Sequence, residues 1–134
     1  MSDHEPVGAA AYIALGSNLG DRAGLLAEAI RRLGAAGTVE AVSSLYETEA
    51  WGYEGGPPFL NAALRLRTQL EPVALLHMMQ IIEMDLGRER SVLNAPRTLD
   101  LDLLLYDDAV VALPGLRVPH PRLHERAFVL VPLT

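Results

Sequence analysis

The chain has 134 residues, half of them apolar, 21% charged, with no cysteine and a formal net charge of −6. That length suits one domain with a buried core. The apolar content excludes global disorder, the missing cysteines exclude a disulfide framework or zinc–thiolate site, and the net charge weighs against general nucleic-acid binding. No apolar run approaches about 18 residues, so no membrane-spanning helix is expected. The acidic start, Met1 to Pro6, is unlike a secretory signal, so a cytoplasmic protein is expected. All eleven basic residues are arginine, and they are unevenly balanced: residues 1–87 carry a charge of −6 and residues 88–134 carry zero. Source composition alone is a sufficient explanation for the absence of lysine. Arginine's planar fork of donors nevertheless suits phosphate, which makes the C-terminal third the place for an anionic ligand.

In chain order, residues 10–15 read as a buried strand that stops at Gly16-Ser17-Asn18. Asp21 caps a helix whose apolar stripe is Leu25, Leu26, Ala29, Ile30 and Leu33, with Gly34 and Gly37 ending it. Residues 39–48 read as one strand, with Val39, Ala41 and Leu45 sharing a parity. Residues 51–58, with three glycines and two prolines, read as a loop. Residues 59–68 alternate: Leu60, Ala62, Leu64 and Leu66 on one face, Phe59, Asn61, Arg65 and Arg67 on the other. Pro72 opens a second helix with Leu75, Leu76, Met79, Ile82 and Leu86 as its stripe and Gly87 at its end. Residues 88–96 form a second long loop, and residues 98–106 a strand. Asp107-Asp108 turn the chain into a short Val110-Val111 strand. Pro114, Pro119 and Pro121 make the following stretch irregular, and residues 122–131 suit a short helix or turn.

The order strand, helix, strand, strand, helix, strand is the split βαβ pattern of a ferredoxin-like α+β fold: an antiparallel sheet with both helices on one face. It fills residues 1–134 as a single domain. Parity then sorts the last long strand. Leu99, Leu101, Leu103 and Leu105 meet the helices, whereas Asp100 and Asp102 point to the uncovered face, as does Asn61.

Two carboxylates on alternate residues of a strand lie about 6.6 Å apart at Cα and leave on the same side. They repel one another unless something positive lies between, and a hard divalent cation such as Mg²⁺ does that, usually with substrate phosphates completing its shell. For a bare Asp-x-Asp a solvated strand face, or an ion pair with Arg97, is the commoner explanation; Arg88 and Arg97 nearby, and a face left open by both helices, move the balance toward a cation. Arg88, Arg90 and Arg97 bracket a loop that suits a polyphosphate. His120, between Pro119 and Pro121, suits a phosphate hydrogen bond, proton transfer or a structural role. Gly16 to Asp21 lacks the Gly-Lys-Ser/Thr ending of a P-loop and reads as turn chemistry plus a helix cap. On these features alone a metabolite-binding ferredoxin-like module and a metal-dependent phosphohydrolase stay open beside a kinase.

Five segments carry a resemblance. Ala11-Tyr12-Ile13-Ala14-Leu15-Gly16-Ser17-Asn18-Leu19-Gly20-Asp21, Ser43-Ser44-Leu45-Tyr46-Glu47-Thr48 and Phe59-Leu60-Asn61-Ala62-Ala63 come first. Pro96-Arg97-Thr98-Leu99-Asp100-Leu101-Asp102 follows, with Val118-Pro119-His120-Pro121 and Arg126-Ala127-Phe128 at the end. In this order they resemble the 6-hydroxymethyl-7,8-dihydropterin pyrophosphokinase family of folate biosynthesis. The resemblance implies transfer of the diphosphate of ATP to the dihydropterin, leaving AMP, with Asp100 and Asp102 holding two Mg²⁺ ions. It implies that Arg88, Arg97, His120 and Arg126 contact ATP, with Gln80 a further contact, and that Arg88 and Arg97 are catalytic with the aspartates. Thr48, Asn61 and Phe128 line a pterin pocket in this reading, with Phe59 at an aromatic position and Trp51 covering the pterin. Glu83 matches a position near that site. A monomer is expected, without nucleic-acid or membrane partners. Relatives usually continue beyond the position of Thr134, so the family's C-terminal tail is expected to be missing.

Overall fold

The structure, a computed structural model, describes residues 8–18, 21–48, 58–87 and 99–120. Five strands form one antiparallel sheet: β1 (Ala9–Ser17), β2 (Gly37–Val42), β3 (Tyr46–Thr48), β4 (Phe59–Thr68) and β5 (Asp100–Tyr106). The order is β2-β4-β1-β5, with β3 continuing along the β4 edge beyond β2. Helices α1 (Arg22–Leu33) and α2 (Pro72–Gly87) complete the expected α+β arrangement. A hairpin of β6 (Val111–Leu113) and β7 (Leu116–Val118) follows β5.

Alternation in β4 and the helical stripes build the core. Ala62, Leu64 and Leu66 of β4 are fully buried with Leu26, Ala29 and Leu33 of α1 and Leu75, Met79 and Ile82 of α2. Ile13 and Leu15 of β1 and Leu101 and Leu103 of β5 join the same cluster. Asp21 caps α1 as expected, its carboxylate accepting the Gly24 N–H at 3.0 Å. Thr68, buried at the end of β4, donates to Ala36 O at 2.6 Å and accepts the Leu70 N–H at 3.1 Å, tying both helix–strand connections to one hydroxyl.

Several boundaries differ from the sequence reading. Residues 39–48 are two strands rather than one, because Ser43 interrupts the ladder. Its Oγ accepts the Ala63 N–H at 2.9 Å in place of a backbone carbonyl, and Leu45 is left exposed. Gly37 opens β2 instead of ending α1. A Cβ there would lie 2.1 Å from Arg67 O, so the close strand approach selects glycine. Leu105 does not continue the leucine row. Tyr12 pairs with Leu105 and Ile13 with Leu103, so Leu104 is the unmatched residue of a bulge. Beyond it the parity reverses, and Tyr106 packs against the main core with its hydroxyl donating to Leu70 O. The stretch expected to be irregular contains the β6–β7 hairpin. Its turn places Pro114 before Gly115, whose φ of 82° suits glycine at the third position of a type II turn. Val110, expected in a strand, precedes β6 and is exposed. The segment 122–131 lies outside the described residues.

At the surface Arg32 joins the helices: it donates to Glu28 of α1 and to Asp85 of α2, each at 3.1 Å, and Glu28 also accepts from Arg31. Arg31 first, then Arg32, holds the Glu28 carboxyl down at about 2 against an ordinary 4.5. A lowered pKa contributes stability that is present above pH 4.5 and lost as pH falls toward 2. Glu28→Gln should therefore melt below wild type at neutral pH, with the gap closing toward pH 2 and narrowing with added salt, because the pair is solvent-screened. Thermal melts across that pH range at two salt concentrations measure it. In the core, Leu64→Ala should cost about 2–5 kcal/mol, whereas Val110→Ala should stay within about 0.5 kcal/mol, both read by denaturant unfolding.

Candidate active site

The site lies on the sheet face opposite the helices, at the end where β1 finishes. Register places Tyr46, Asn61, Gly16 and Asp100 in one row across β3, β4, β1 and β5. The next row holds Ala63, Ala14 and Asp102. Two strand spacings separate Asn61 from Asp100, roughly 10 Å, with only glycine and alanine side chains on β1 between them. The floor between the amide and the carboxylates is therefore low enough to admit a ligand.

The amide end is tightly held. Asn61 Nδ2 donates to Thr48 Oγ1 at 2.8 Å and to the carbonyls of Tyr46 and Phe59 at 3.3 Å each. Its Oδ1 is turned toward Gly16, where a Cβ would meet it at 3.2 Å and Phe59 Cδ1 at 3.5 Å. Asn61 is thus fixed by three donor contacts and presents an acceptor to the open face. Arg22, the first residue of α1, braces the neighbouring backbone: Nη2 donates to Glu47 Oε2 at 2.7 Å and Nη1 to Pro58 O at 3.0 Å. Glu47 and Pro58 flank Thr48 and Phe59, so one guanidinium ties together the two strand ends that carry them.

The carboxylate end is formed by Asp100 and Asp102 on β5, both half-buried. His120 comes alongside: its backbone N–H donates to Leu104 O at 2.9 Å, and its side-chain Nε2 lies 3.8 Å from Asp102 Oδ1. A cleft of about 630 Å³ opens along the outer edge of β5, between α2 and the β6–β7 hairpin. Leu76, Leu101, Leu103 and Leu116 give it an apolar slot, and Asp102, Arg117 and His120 its polar end. Among the described residues no group of three or more His, Asp or Glu side chains is close enough to hold a metal ion. Two hard oxygen donors on one strand face fit Mg²⁺ when ligand oxygens complete the shell, and fit zinc poorly.

Of the residues singled out in the sequence, Thr48, Phe59 and Asn61 come together at one end, and Asp100, Asp102 and His120 at the other. Gln80 is exposed on α2 and is not among the residues lining the cleft. Arg88, Arg97, Trp51, Arg126 and Phe128 lie outside the described residues. Arg65 and Arg67 share the open face but sit farther along β4. There Glu40 pairs with both at 3.0 and 3.2 Å, and its carboxyl is lowered chiefly by Arg67. Sequence reading missed the cleft and Arg117. The Pro114-Gly115 dipeptide is the turn signal that would have revealed the hairpin.

Comparison with known proteins settles the family. The profile of the 7,8-dihydro-6-hydroxymethylpterin-pyrophosphokinase (HPPK) family matches residues 12–134. The chain belongs to the HPPK family. It is 52% identical over 125 residues to the 2-amino-4-hydroxy-6-hydroxymethyldihydropteridine pyrophosphokinase of Bacillus subtilis, covering 92% of this chain and 75% of that one. The enzyme of the same name from Aquifex aeolicus is 41% identical, with 93% and 78% covered. A folic acid synthesis protein of Schizosaccharomyces pombe is also 41% identical, over 92% of this chain and 17% of that protein. Among solved structures, wild-type Plasmodium falciparum HPPK-DHPS with pterin and p-hydroxybenzoate superposes with a TM-score of 0.66 over 96% of this chain and 39% of that chain. At 16% identity it speaks for the fold alone. Family membership makes this chain a pyrophosphokinase of folate biosynthesis.

The packing at Gly16 is directly testable. Gly16→Ala should cost about 1 kcal/mol, from the crowding of Asn61 and Phe59, and should shift the Asn61 side-chain amide resonances. Unmoved Asn61 resonances in a ¹⁵N-correlated spectrum would contradict the close approach.

Proposed function

We propose that this HPPK family member transfers the diphosphate of ATP to 6-hydroxymethyl-7,8-dihydropterin, giving AMP and the dihydropterin diphosphate, with two Mg²⁺ ions held between Asp100, Asp102 and the phosphates. The observation that carries the reading is the row Asn61, Gly16, Asp100: an anchored amide and paired carboxylates face the same way, across a gap floored by small residues. The pterin belongs at the amide end, where Asn61 Oδ1 accepts from its ring N–H groups, Thr48 holds Asn61 in place and Phe59 supplies an aromatic neighbour. The apolar slot along β5 suits a nucleobase, with Arg117 and His120 at the end from which the phosphates run toward Asp102. Arg88, Arg97 and Arg126 are assigned to the phosphates, and Trp51 and Phe128 to the pterin, on the resemblance of their motifs. The chain acts as a monomer in the cytoplasm in this reading.

In the reaction the pterin hydroxyl oxygen attacks Pβ of ATP. A bond forms between them as the hydroxyl proton leaves to water, and the bond from Pβ to the bridging oxygen of AMP breaks with its electron pair staying on AMP. Bound Mg²⁺ supplies neutralisation of the triphosphate and of the charge gathering on the leaving oxygen. The chain's own residues align the two substrates. Asn61 and Thr48 fix the pterin edge, β5 fixes the direction of both carboxylates, and His120 lies beside Asp102 to donate to a phosphate oxygen. Positioning and electrostatics of this kind account for most of phosphoryl-transfer catalysis.

An AMP-formation assay with and without the dihydropterin tests the reading. AMP should appear only with pterin and Mg²⁺, and Asp100→Ala and Asp102→Ala should each lower the rate on the order of 10²–10³-fold or more. Asn61→Ala should weaken dihydropterin binding about fivefold while leaving nucleotide binding alone, the value of one net hydrogen bond. Well-folded wild type that makes no pterin-dependent AMP would overturn the proposal. Pterin-independent release of inorganic phosphate would point to a hydrolase instead.

A further inference from the structure

β5 ends the sheet on its own side, so groups along its outer edge have no neighbouring strand to pair with. One of them is the N–H of Leu101, the residue between Asp100 and Asp102. It donates to Glu83 Oε2 at 2.7 Å. Glu83 is half-buried on α2, directly after Ile82, which is buried in the core. We propose that Glu83 is a positioning residue for the paired carboxylates, holding the Asp100–Leu101 peptide and so fixing how Asp100 leaves the strand and, through Leu101, how Asp102 does. This rests on the reading of Asp100 and Asp102 as cation ligands given above.

The geometry favours this role over a directly ligating one. Asp100 and Asp102 point to the open face, whereas the Leu101 N–H meets α2 at the strand's edge, so Glu83 reaches the pair through the backbone. Among the described residues no group of three or more acidic or imidazole side chains is close enough to hold a metal ion. A charged acceptor makes a shorter and stronger bond than a neutral one. It is mounted on a helix whose Met79, Ile82 and Leu86 are locked in the core. The Leu101 N–H belongs to the peptide that joins the Cα atoms of Asp100 and Leu101, so tilting it redirects the Asp100 side chain directly and the Asp102 side chain one residue further along. Partners that orient ligating groups typically change metal affinity 10–100-fold when removed.

Bracing α2 against β5 would affect stability alone, so cation affinity separates the two roles. Mn²⁺ is titrated by electron paramagnetic resonance in the presence of a non-hydrolysable ATP analogue, on wild type, Glu83→Ala and Glu83→Gln. Glu83→Ala should weaken Mn²⁺ binding at least about 10-fold, with metal-free nucleotide affinity unchanged. Glu83→Gln keeps a carbonyl acceptor and should recover most of the loss. In wild type the Leu101 amide should exchange slowly with solvent, as a hydrogen-bonded rather than open edge group. Wild type that binds no Mn²⁺ overturns the ligand reading and the proposal with it. Wild-type Mn²⁺ affinity in folded Glu83→Ala, or fast exchange at Leu101, overturns the proposal and leaves the ligand reading standing. Should Glu83→Ala not fold, the other two measurements decide. A Gln variant with protected Leu101 but Mn²⁺ binding weakened 10-fold means that the charge acts directly, which also overturns positioning.

Discussion

The period of two along β5 is the constraint from which the rest follows. Leu99, Leu101 and Leu103 are buried against the helices, and that burial alone commits Asp100 and Asp102 to the opposite face. A slip of one residue would put two carboxylates into an apolar core at a cost far above that of any single contact. Hydrophobic packing thereby serves as the device that aims the charged pair. The bulge at Leu104 ends the alternation just past Asp102, so the strand is regular only over the stretch where direction matters.

The amide end is organised by different means. Asn61 is set by hydrogen bonds rather than by burial of a leucine row, with three acceptors on β3 and β4 meeting one NH₂ group. Gly16 leaves its carbonyl oxygen uncovered, and Arg22 holds the strand ends together from outside. One end of the site thus inherits its rigidity from the core, and the other from a polar network at the surface of the sheet.

Much of this was legible in the sequence because it depends on strict periodicity. The alternation of residues 59–68 and the Leu/Asp alternation of 99–103 fixed faces, and the helical stripes fixed what those faces meet. What escaped depends on single residues that break a pattern. Ser43 substitutes its hydroxyl for a backbone carbonyl and splits a strand. Leu104 adds one residue and reverses the parity of Leu105 and Tyr106. The hairpin followed from a Pro-Gly turn obscured by two further prolines, and with it went the cleft and Arg117. The bond from Leu101 to Glu83 joins residues 18 apart and belongs to no periodicity.

The outer margin of β5 has a consequence for the behaviour of the molecule in crowded solution. A sheet edge normally invites a strand from another chain to extend it. Here Glu83 takes the Leu101 N–H and the His120 N–H fills the Leu104 carbonyl, so an arriving strand finds neither group available for a ladder. On the opposite side Ser43 breaks the run of β2 into β3. Contacts within the chain thus occupy edge groups that a docking strand would otherwise pair with.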